Sequence, residues 1–215
     1  MASVGYGLYT YGKSNYGTPV YHFGAATIAQ TSSATADGRF VITGNPFELG
    51  LKDNFNVSPG QNIPIKTLNC DGQLKSWSYS PAWKKDMNLI NCRSETMLEK
   101  PSFKEAKKCI IPFSGWYEWK NENNIKVPYY LYSDAKYFAG LHNDDGCLIV
   151  TTKASSSIEH IHHRQPLLID EWNLDKWFMD DAIQENYSVN EINYYQVSKS
   201  VNNPKNNTPA LIQEL

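Results

Sequence analysis

Short runs of apolar, β-branched and aromatic residues recur between residues 40 and 152, and turn residues separate them. Runs of this length and composition are typical of strands rather than helices. Two polar segments, Asn123-Asn124 and Asn143–Gly146, have the composition of turns that close hairpins. The pattern predicts strands over Phe40–Thr43, Ile63–Leu68, Cys109–Pro112, Gly115–Lys120, Val127–Tyr132, Tyr137–Leu141 and Cys147–Thr152.

Two segments carry the signals of short helices. Pro101 precedes Ser102–Lys107, and proline is favoured in the first turn of a helix. Asp170 is an N-cap residue for a helix over Glu171–Met179. The chain contains no βαβ repeat and no glycine-rich phosphate loop. The sequence therefore predicts an α+β domain with mostly antiparallel strands and short helices.

Composition and charge narrow the classes of function. The chain has 215 residues, a net charge of −2 and 41% hydrophobic residues, which is normal for a globular protein. Because this net charge does not attract nucleic acid, any contact with DNA must come from a local basic patch. No apolar run approaches the roughly 20 residues that cross a bilayer, and no signal-peptide pattern is present. We expect no membrane contact and a soluble, cytoplasmic protein.

The cysteines indicate neither a metal site nor a disulfide framework. Cys70, Cys92, Cys109 and Cys147 form no C-x-x-C pair and no cluster with histidine at zinc spacing. We expect them to be reduced and mostly buried, and we expect no metal and no cofactor.

Residues 1–36 differ in composition from the rest of the chain. They contain one charged residue, Lys13, and Tyr and Gly recur together, as in Gly5-Tyr6-Gly7. Few of these residues suit a separate core, whereas tyrosines suit contact with another surface. We predict an extended docking arm over residues 1–36 that binds a protein partner, followed by a domain over residues 37–215. The arm loosely resembles the starts of some tailed-phage structural proteins, and a flexible low-complexity leader is the alternative.

The chain uses arginine at three positions among its 20 basic residues: Arg39, Arg93 and Arg164. Arginine differs from lysine in its planar fork, which binds phosphate or base edges through two hydrogen bonds. Each arginine lies in a motif with other functional groups, namely Gly38–Phe40, Asn91–Thr96 and His162–Pro166. The alternative is three unrelated ion pairs with surface carboxylates.

Glu118 lies between aromatic residues in an apolar run and is a candidate acid. Pointing inward it would be desolvated, which raises the pKa of a carboxyl group, and pointing outward it would be an ordinary solvated side chain. The alternation does not decide between the two, because Tyr117 and Trp119 flank it. His160, His162 and His163 lack the spacing of a metal site, so one histidine acting in proton transfer or hydrogen bonding is favoured.

These motifs, in this order, resemble the SRAP family (SOS response-associated peptidase), the abasic-site sensor proteins. The resemblance covers about five sixths of the chain. It rests on the segments Gly38–Phe40, Phe55–Gln61, Trp77–Trp83, Ile90–Thr96, Cys109–Trp119, Phe138–Leu141, Ile161–Pro166 and Val201-Asn202.

The resemblance implies a mostly antiparallel pseudo-barrel that binds abasic sites in single-stranded DNA. Family members begin, after the initiator methionine, with a cysteine whose amine and thiol condense with the opened sugar to a thiazolidine. By motif, Asn91 would hold that residue, Glu118 would transfer protons and His162 would hydrogen-bond the opened sugar. The resemblance further implies contacts to phosphate and sugar from Arg39, Arg93 and Arg164, and stacking beside the lesion by Trp77, Trp83 and Trp116.

Asp37 stands where the family has its cysteine. A carboxylate cannot close a thiazolidine, and a backbone amide inside the chain cannot form a Schiff base. The sequence therefore predicts a pseudoenzyme that forms no stable crosslink. Cleavage between Ala36 and Asp37 would free an amine that could form a reversible imine.

Three functional hypotheses remain open. The first is a non-covalent binder of single-stranded or abasic DNA that acts in the DNA damage response. The second is a structural protein, for example of a phage virion, that carries the fold on its N-terminal arm. The third is an autopeptidase or DNA lyase that becomes active after trimming. Salt-dependent DNA binding distinguishes the first hypothesis from the second.

Overall fold

The computed structural model describes residues 38–180, 182–183, 187–188 and 191–215. The predicted arm over residues 1–36 and the site residue Asp37 lie outside these ranges. The strands β1 to β13 are, in chain order, Arg39–Ile42, Asn54–Val57, Asn62–Thr67, Cys70–Ser76, Asn91–Arg93, Lys107–Pro112, Gly115–Glu122, Ile125–Tyr132, Tyr137–His142, Cys147–Lys153, Arg164–Pro166, Leu168–Ile169 and Asn193–Gln196. The helix α1 is Leu174–Met179, and 3₁₀ turns occur at Pro46–Glu48, Ser94–Thr96, Pro101–Phe103, Glu171–Asn173, Lys199–Asn202 and Pro209–Ile212.

The strands form two sheets. The first has the order β13-β8-β7-β1-β2, and all its neighbours are antiparallel. The second has the order β11-β10-β9-β6-β3-β4, with β12 added on β9 and β5 added on β10. The pairing of β5 with β10 is parallel. The predicted α+β fold with mostly antiparallel strands and short helices is confirmed.

Both faces of each sheet are covered, which explains why adjacent residues of one strand are both apolar. One core cluster joins the two sheets and contains Phe40, Ile111, Leu131 and Phe138, among others. A second cluster packs the other face of the larger sheet against α1 and includes Ile110, Ala139, Leu148 and Trp177. A third packs the first sheet against the C-terminal segment and includes Val41, Tyr117, Tyr130, Val197 and Leu211.

The predicted hairpin turns are confirmed. Asn123 and Asn124 join β7 to β8 with φ angles of 49° and 65°, in the left-handed region that asparagine tolerates. In the turn between β9 and β10, the backbone N–H of Asn143 donates to the carbonyl of Gly146 at 2.9 Å. The side-chain oxygen of Asn143 accepts from the backbone N–H groups of Asp145 and Gly146.

One helix prediction agrees with the structure and the other is wrong. The segment Glu171–Met179 forms a 3₁₀ turn followed by α1, although Asp170 makes no side-chain capping bond and accepts from Ser188 Oγ at 2.7 Å instead. Over Ser102–Lys107 the structure has only the end of a 3₁₀ turn, because Lys107 already pairs with β9 and sheet pairing overrides a short helix. Within the described ranges, the helices are too short and polar to cross a bilayer.

Gly115 at the start of β7 allows a close approach of Tyr130. A Cβ at position 115 would lie 2.2 Å from Tyr130 Oη, and the buried ring is held by its hydroxyl, which donates to Ser114 O at 3.0 Å. Gly115→Ala is therefore expected to lower the free energy of unfolding by about 1–3 kcal/mol in urea denaturation. Gly38→Ala is the control, because its Cβ would meet its nearest neighbour at an ordinary 3.7 Å. Equal losses in the two variants would contradict this packing.

Candidate functional site

A pocket opens where the first sheet meets the second, and every strand at this junction contributes to its lining. Residues of β1 and β7 line one side, and residues of β5, β9, β10 and β11 line the other. The cavity volume is about 40 Å³, well below the roughly 300–1,000 Å³ of common ligand pockets. A few water-sized groups fill it, so only part of a larger ligand can enter.

The floor of the pocket is aromatic. Phe40 contacts Trp77 edge-on with ring centroids 5.1 Å apart, and Trp116 contacts Phe138 edge-on at 5.9 Å. Trp77 and Trp116 are 1% and 2% exposed and belong to the core, so they are walls of the pocket rather than free stacking surfaces. Trp83 is 62% exposed and lies outside the lining. The structure thus separates the three tryptophans that the sequence analysis grouped together.

Glu118 on β7 points into the pocket. Its neighbours Tyr117 and Trp119 pack on the opposite face, against the C-terminal segment. The carboxyl group is 16% exposed, and burial raises the pKa of Glu118 to about 8. At neutral pH the group is therefore mostly protonated and can donate a hydrogen bond or a proton.

His162 lies beside Glu118, in the segment between β10 and β11. Its Nδ1 is 2.8 Å from the carbonyl oxygen of Arg164, to which it donates, and 3.4 Å from Glu118 Oε2. Burial lowers the pKa of His162, so the ring is neutral at neutral pH. With the proton on Nδ1, Nε2 is the basic nitrogen. The pocket therefore places an uncharged acid next to an uncharged base.

The other histidines do not join this pair. The His160 ring lies 5.3 Å from the ring of Tyr194, and His163 is exposed with its ring 4.6 Å from that of His162. In the part of the chain that the structure describes, no group of three histidine, cysteine or acidic side chains is placed to hold a metal.

The arginines differ in their surroundings. Arg164 donates to both carboxylate oxygens of Glu95, at 2.5 and 2.9 Å, and to the carbonyl of Thr151 at 2.6 Å. The hydrogen bonds from Arg164 hold the pKa of Glu95 below its ordinary value. Arg164 thus makes the ion pair that was the alternative in the sequence analysis, at the edge of the pocket that it also lines. Arg93 is exposed on β5 and is not part of the lining.

Arg39 at the start of β1 is held by a segment far away in the sequence. Its guanidinium donates to the carbonyl of Val201. The buried amide of Asn56 donates to the same carbonyl at 3.2 Å and to the carbonyls of Asn203 and Asn206 at 3.1 and 3.0 Å. The segment 201–206 and the pocket arginine are therefore fixed together.

The family is shown by comparison with known proteins. Residues 25–204 match the family described as SOS response associated peptidase (SRAP). The chain belongs to the SRAP family. It is similar to the abasic site processing protein YoqW of Bacillus subtilis, with 35% identity over 194 residues, covering 74% of this chain and 85% of that protein. It is also similar to the abasic site processing protein HMCES of Xenopus tropicalis, with 28% identity, covering 73% of this chain and 64% of that protein.

Two solved structures share the fold of this chain. A protein from Bacteroides thetaiotaomicron has 25% identity and a TM-score of 0.65, over 77% of this chain and 87% of that one. A phage-related protein from Bordetella bronchiseptica shares the fold, with 22% identity and a TM-score of 0.58, over 74% of this chain and 93% of that one.

Gly38, the first residue that the structure describes, is part of the pocket lining, and a Cβ placed on it would lie 3.8 Å from the side-chain nitrogen of Asn91. None of the described residues that line the pocket is a cysteine. Cys92 faces the second core cluster, and burial raises the pKa of its thiol. No described thiol therefore takes the place of the SRAP cysteine.

Several residues of this SRAP site were not singled out by the sequence analysis. Phe40 and Phe138 complete the aromatic floor, while Thr151 and Glu95 bind Arg164. In the sequence the two phenylalanines have the pattern of ordinary core residues. Glu95 is 69 residues from Arg164, so the sequence does not indicate their contact. The signals for these positions were the motifs Gly38–Phe40 and Asn91–Thr96 and the segment Phe138–Leu141, which contain Phe40, Glu95 and Phe138.

Proposed function

We propose that this chain binds abasic sites in single-stranded DNA without forming a stable covalent crosslink. The observation that carries the proposal is Asp37, which directly precedes the pocket residue Gly38 in the sequence and, by the resemblance of the motif Gly38–Phe40, takes the position at which SRAP members have a cysteine. The amine and thiol needed for a thiazolidine are absent from this position in the intact chain. Glu118, His162 and Asn91 still line the pocket, which supports retained binding.

The size and charge of the pocket support an abasic nucleotide as ligand. A cavity of about 40 Å³ can admit part of a sugar, whereas a nucleotide with its base needs more room. In this proposal the uncharged Glu118 and His162 contact the sugar. Arg39 and Arg164 at the pocket and the exposed Arg93 bind phosphates, with Glu95 competing for Arg164. The exposed Trp83 is the tryptophan that stacks on a neighbouring base.

The proposal is tested with the full-length chain and two fluorescent single strands that differ only in one abasic site. We expect tighter binding of the abasic strand in fluorescence anisotropy, affinity that falls steeply with salt, and no heat-stable band on a denaturing gel. Absence of binding to either strand at low salt, or a heat-stable crosslink, would contradict the proposal. Intact mass of the same sample shows whether cleavage between Ala36 and Asp37 has freed an amine.

A structural role is the second candidate, and the composition of residues 1–36 favours it. One charged residue and repeated Tyr-Gly pairs suit an arm that docks on a protein assembly, as in a phage virion. One relative, with 35% identity, is the YoqW protein of Bacillus phage SPbeta. The structural role is tested by deleting residues 1–36. Loss of an assembly with unchanged DNA affinity would support docking through these residues, and an unchanged assembly would contradict it.

A further inference from the structure

The indole N–H of Trp116 is a buried donor that meets no acceptor among the described residues. Trp116 lines the pocket and is 2% exposed, and its Nε1 is buried without a hydrogen-bond partner. Three other tryptophans differ in this respect. Their indole N–H groups donate at 2.8–2.9 Å: Trp77 to Ile90 O, Trp119 to Asn202 Oδ1 and Trp177 to Cys109 O.

Packing alone does not require this N–H group. The Trp116 ring contacts Phe113 and Phe138 edge-on, with centroids 5.8 and 5.9 Å apart, and phenylalanine makes the same kind of contact. A buried donor without an acceptor is unfavourable, so such groups in folded proteins meet ordered water or a ligand. An unpaired donor in the wall of a pocket therefore indicates a ligand atom that accepts a hydrogen bond.

The surroundings of Trp116 favour an uncharged oxygen as the acceptor. The floor is aromatic, and both Glu118 and His162 are neutral at neutral pH. A phosphate would have to lose its hydration here without an opposite charge beside it, which is costly. The arginines at the edge of the pocket suit phosphate instead. A hydroxyl or carbonyl oxygen fits both the small cavity and the lack of charge.

We infer that Trp116 recognises the abasic sugar by donating its indole N–H to the exocyclic oxygen on C1′, which is a hydroxyl in the closed sugar and an aldehyde oxygen in the open one. This inference rests on the proposed function and names the atom by which the pocket distinguishes an abasic sugar. In a nucleotide that carries a base, the base nitrogen occupies the place of this exocyclic oxygen, so the same hydrogen bond would make Trp116 a residue that determines specificity.

The test compares two single strands with the full-length chain. One contains a natural abasic site, and the other contains the tetrahydrofuran analogue, which keeps the ring oxygen but lacks the exocyclic oxygen on C1′. The wild-type chain is expected to bind the natural site about three- to tenfold more tightly. Trp116→Phe is expected to bind both strands equally. Trp119→Phe is the matched control and is expected to keep the preference, because its N–H donates to Asn202 away from the pocket.

Indole ¹H–¹⁵N spectra of the wild-type chain provide a readout that does not depend on the folding of a variant. The Trp116 resonance is expected to shift with the natural abasic strand and not with the tetrahydrofuran strand. An equal shift with both strands, no shift with either, or a preference retained by Trp116→Phe would overturn the inference while abasic binding persists. If neither strand binds better than an intact one, the proposed function itself fails.

Discussion

A variant that begins at position 37, with Asp37→Cys, is expected to form a heat-stable crosslink with an abasic single strand. The change provides a free amine and a thiol on one residue, and under the proposed function both groups are needed to close a thiazolidine with the opened sugar. The position directly precedes Gly38, which lines the pocket next to Asn91 and comes just before β1. The crosslink is measured as a shifted band on a denaturing gel, from none in the parent chain to a major fraction of the DNA.

Two controls separate the amine from the thiol. The same truncation with Asp37 retained has the amine alone, so it can form only a reversible imine and no heat-stable band. Full-length Asp37→Cys has the thiol without the free amine and is also expected to give no band. A stable crosslink from either control, in a sample whose intact mass shows no cleavage before position 37 of the full-length chain, would show that another residue supplies the missing group. Failure of the truncated cysteine variant, while it still binds abasic DNA, would show that the pocket itself has changed.

Glu118→Gln is expected to make the chain more stable at alkaline pH. The folded-state pKa of about 8 lies above the ordinary value of 4.5. Between these values the unfolded chain has released the proton and the folded chain retains it, so the wild-type free energy of unfolding falls as pH rises from about 4.5 to 8. Glutamine does not ionise, so the variant is expected to exceed the wild type by about 3–5 kcal/mol at pH 9 and to match it near pH 4.

The measurement is urea denaturation at pH 4, 6 and 9. Glu122→Gln is the matched control, because Glu122 lies on the same strand and forms an exposed ion pair with Lys120 at 2.9 Å. Such pairs contribute little, and the control is expected to leave the stability nearly unchanged. Parallel pH profiles for the wild type and Glu118→Gln would show that the carboxyl group is solvated.

Seven of the thirteen described strands, β1, β3 and β6 to β10, could be predicted because the local signals and the global fold agree there. The apolar runs of β7 and β8 are joined by Asn123-Asn124, and the turn geometry that these residues favour is the one observed. The boundaries of β7 extended further than predicted, since polar residues such as Glu122 continue the sheet pairing. The helix over Ser102–Lys107 was wrong for the opposite reason, because Lys107, which has helical signals, starts β6 and pairs with β9.

The direction of Glu118 could not be read from its neighbours. Tyr117 and Trp119 are apolar on the opposite face because the C-terminal segment, with Val197 and Leu211, covers that face. The residues around Glu118 give no sign of a contact with a segment that is so far away in the sequence. The partner of Arg164 was hidden for the same reason, since Glu95 is brought to it by the parallel pairing of β5 with β10 and the antiparallel pairing of β11 with β10.

The contact between Arg39 and Val201 joins a segment that is synthesised early to one that is synthesised late. The acceptor is translated 162 residues after the arginine. Before residue 201 is synthesised, the nascent chain lacks the carbonyl to which the Arg39 guanidinium donates and the carbonyls of residues 201–206 to which the Asn56 amide donates. These contacts can therefore form only after this segment has left the ribosomal exit tunnel.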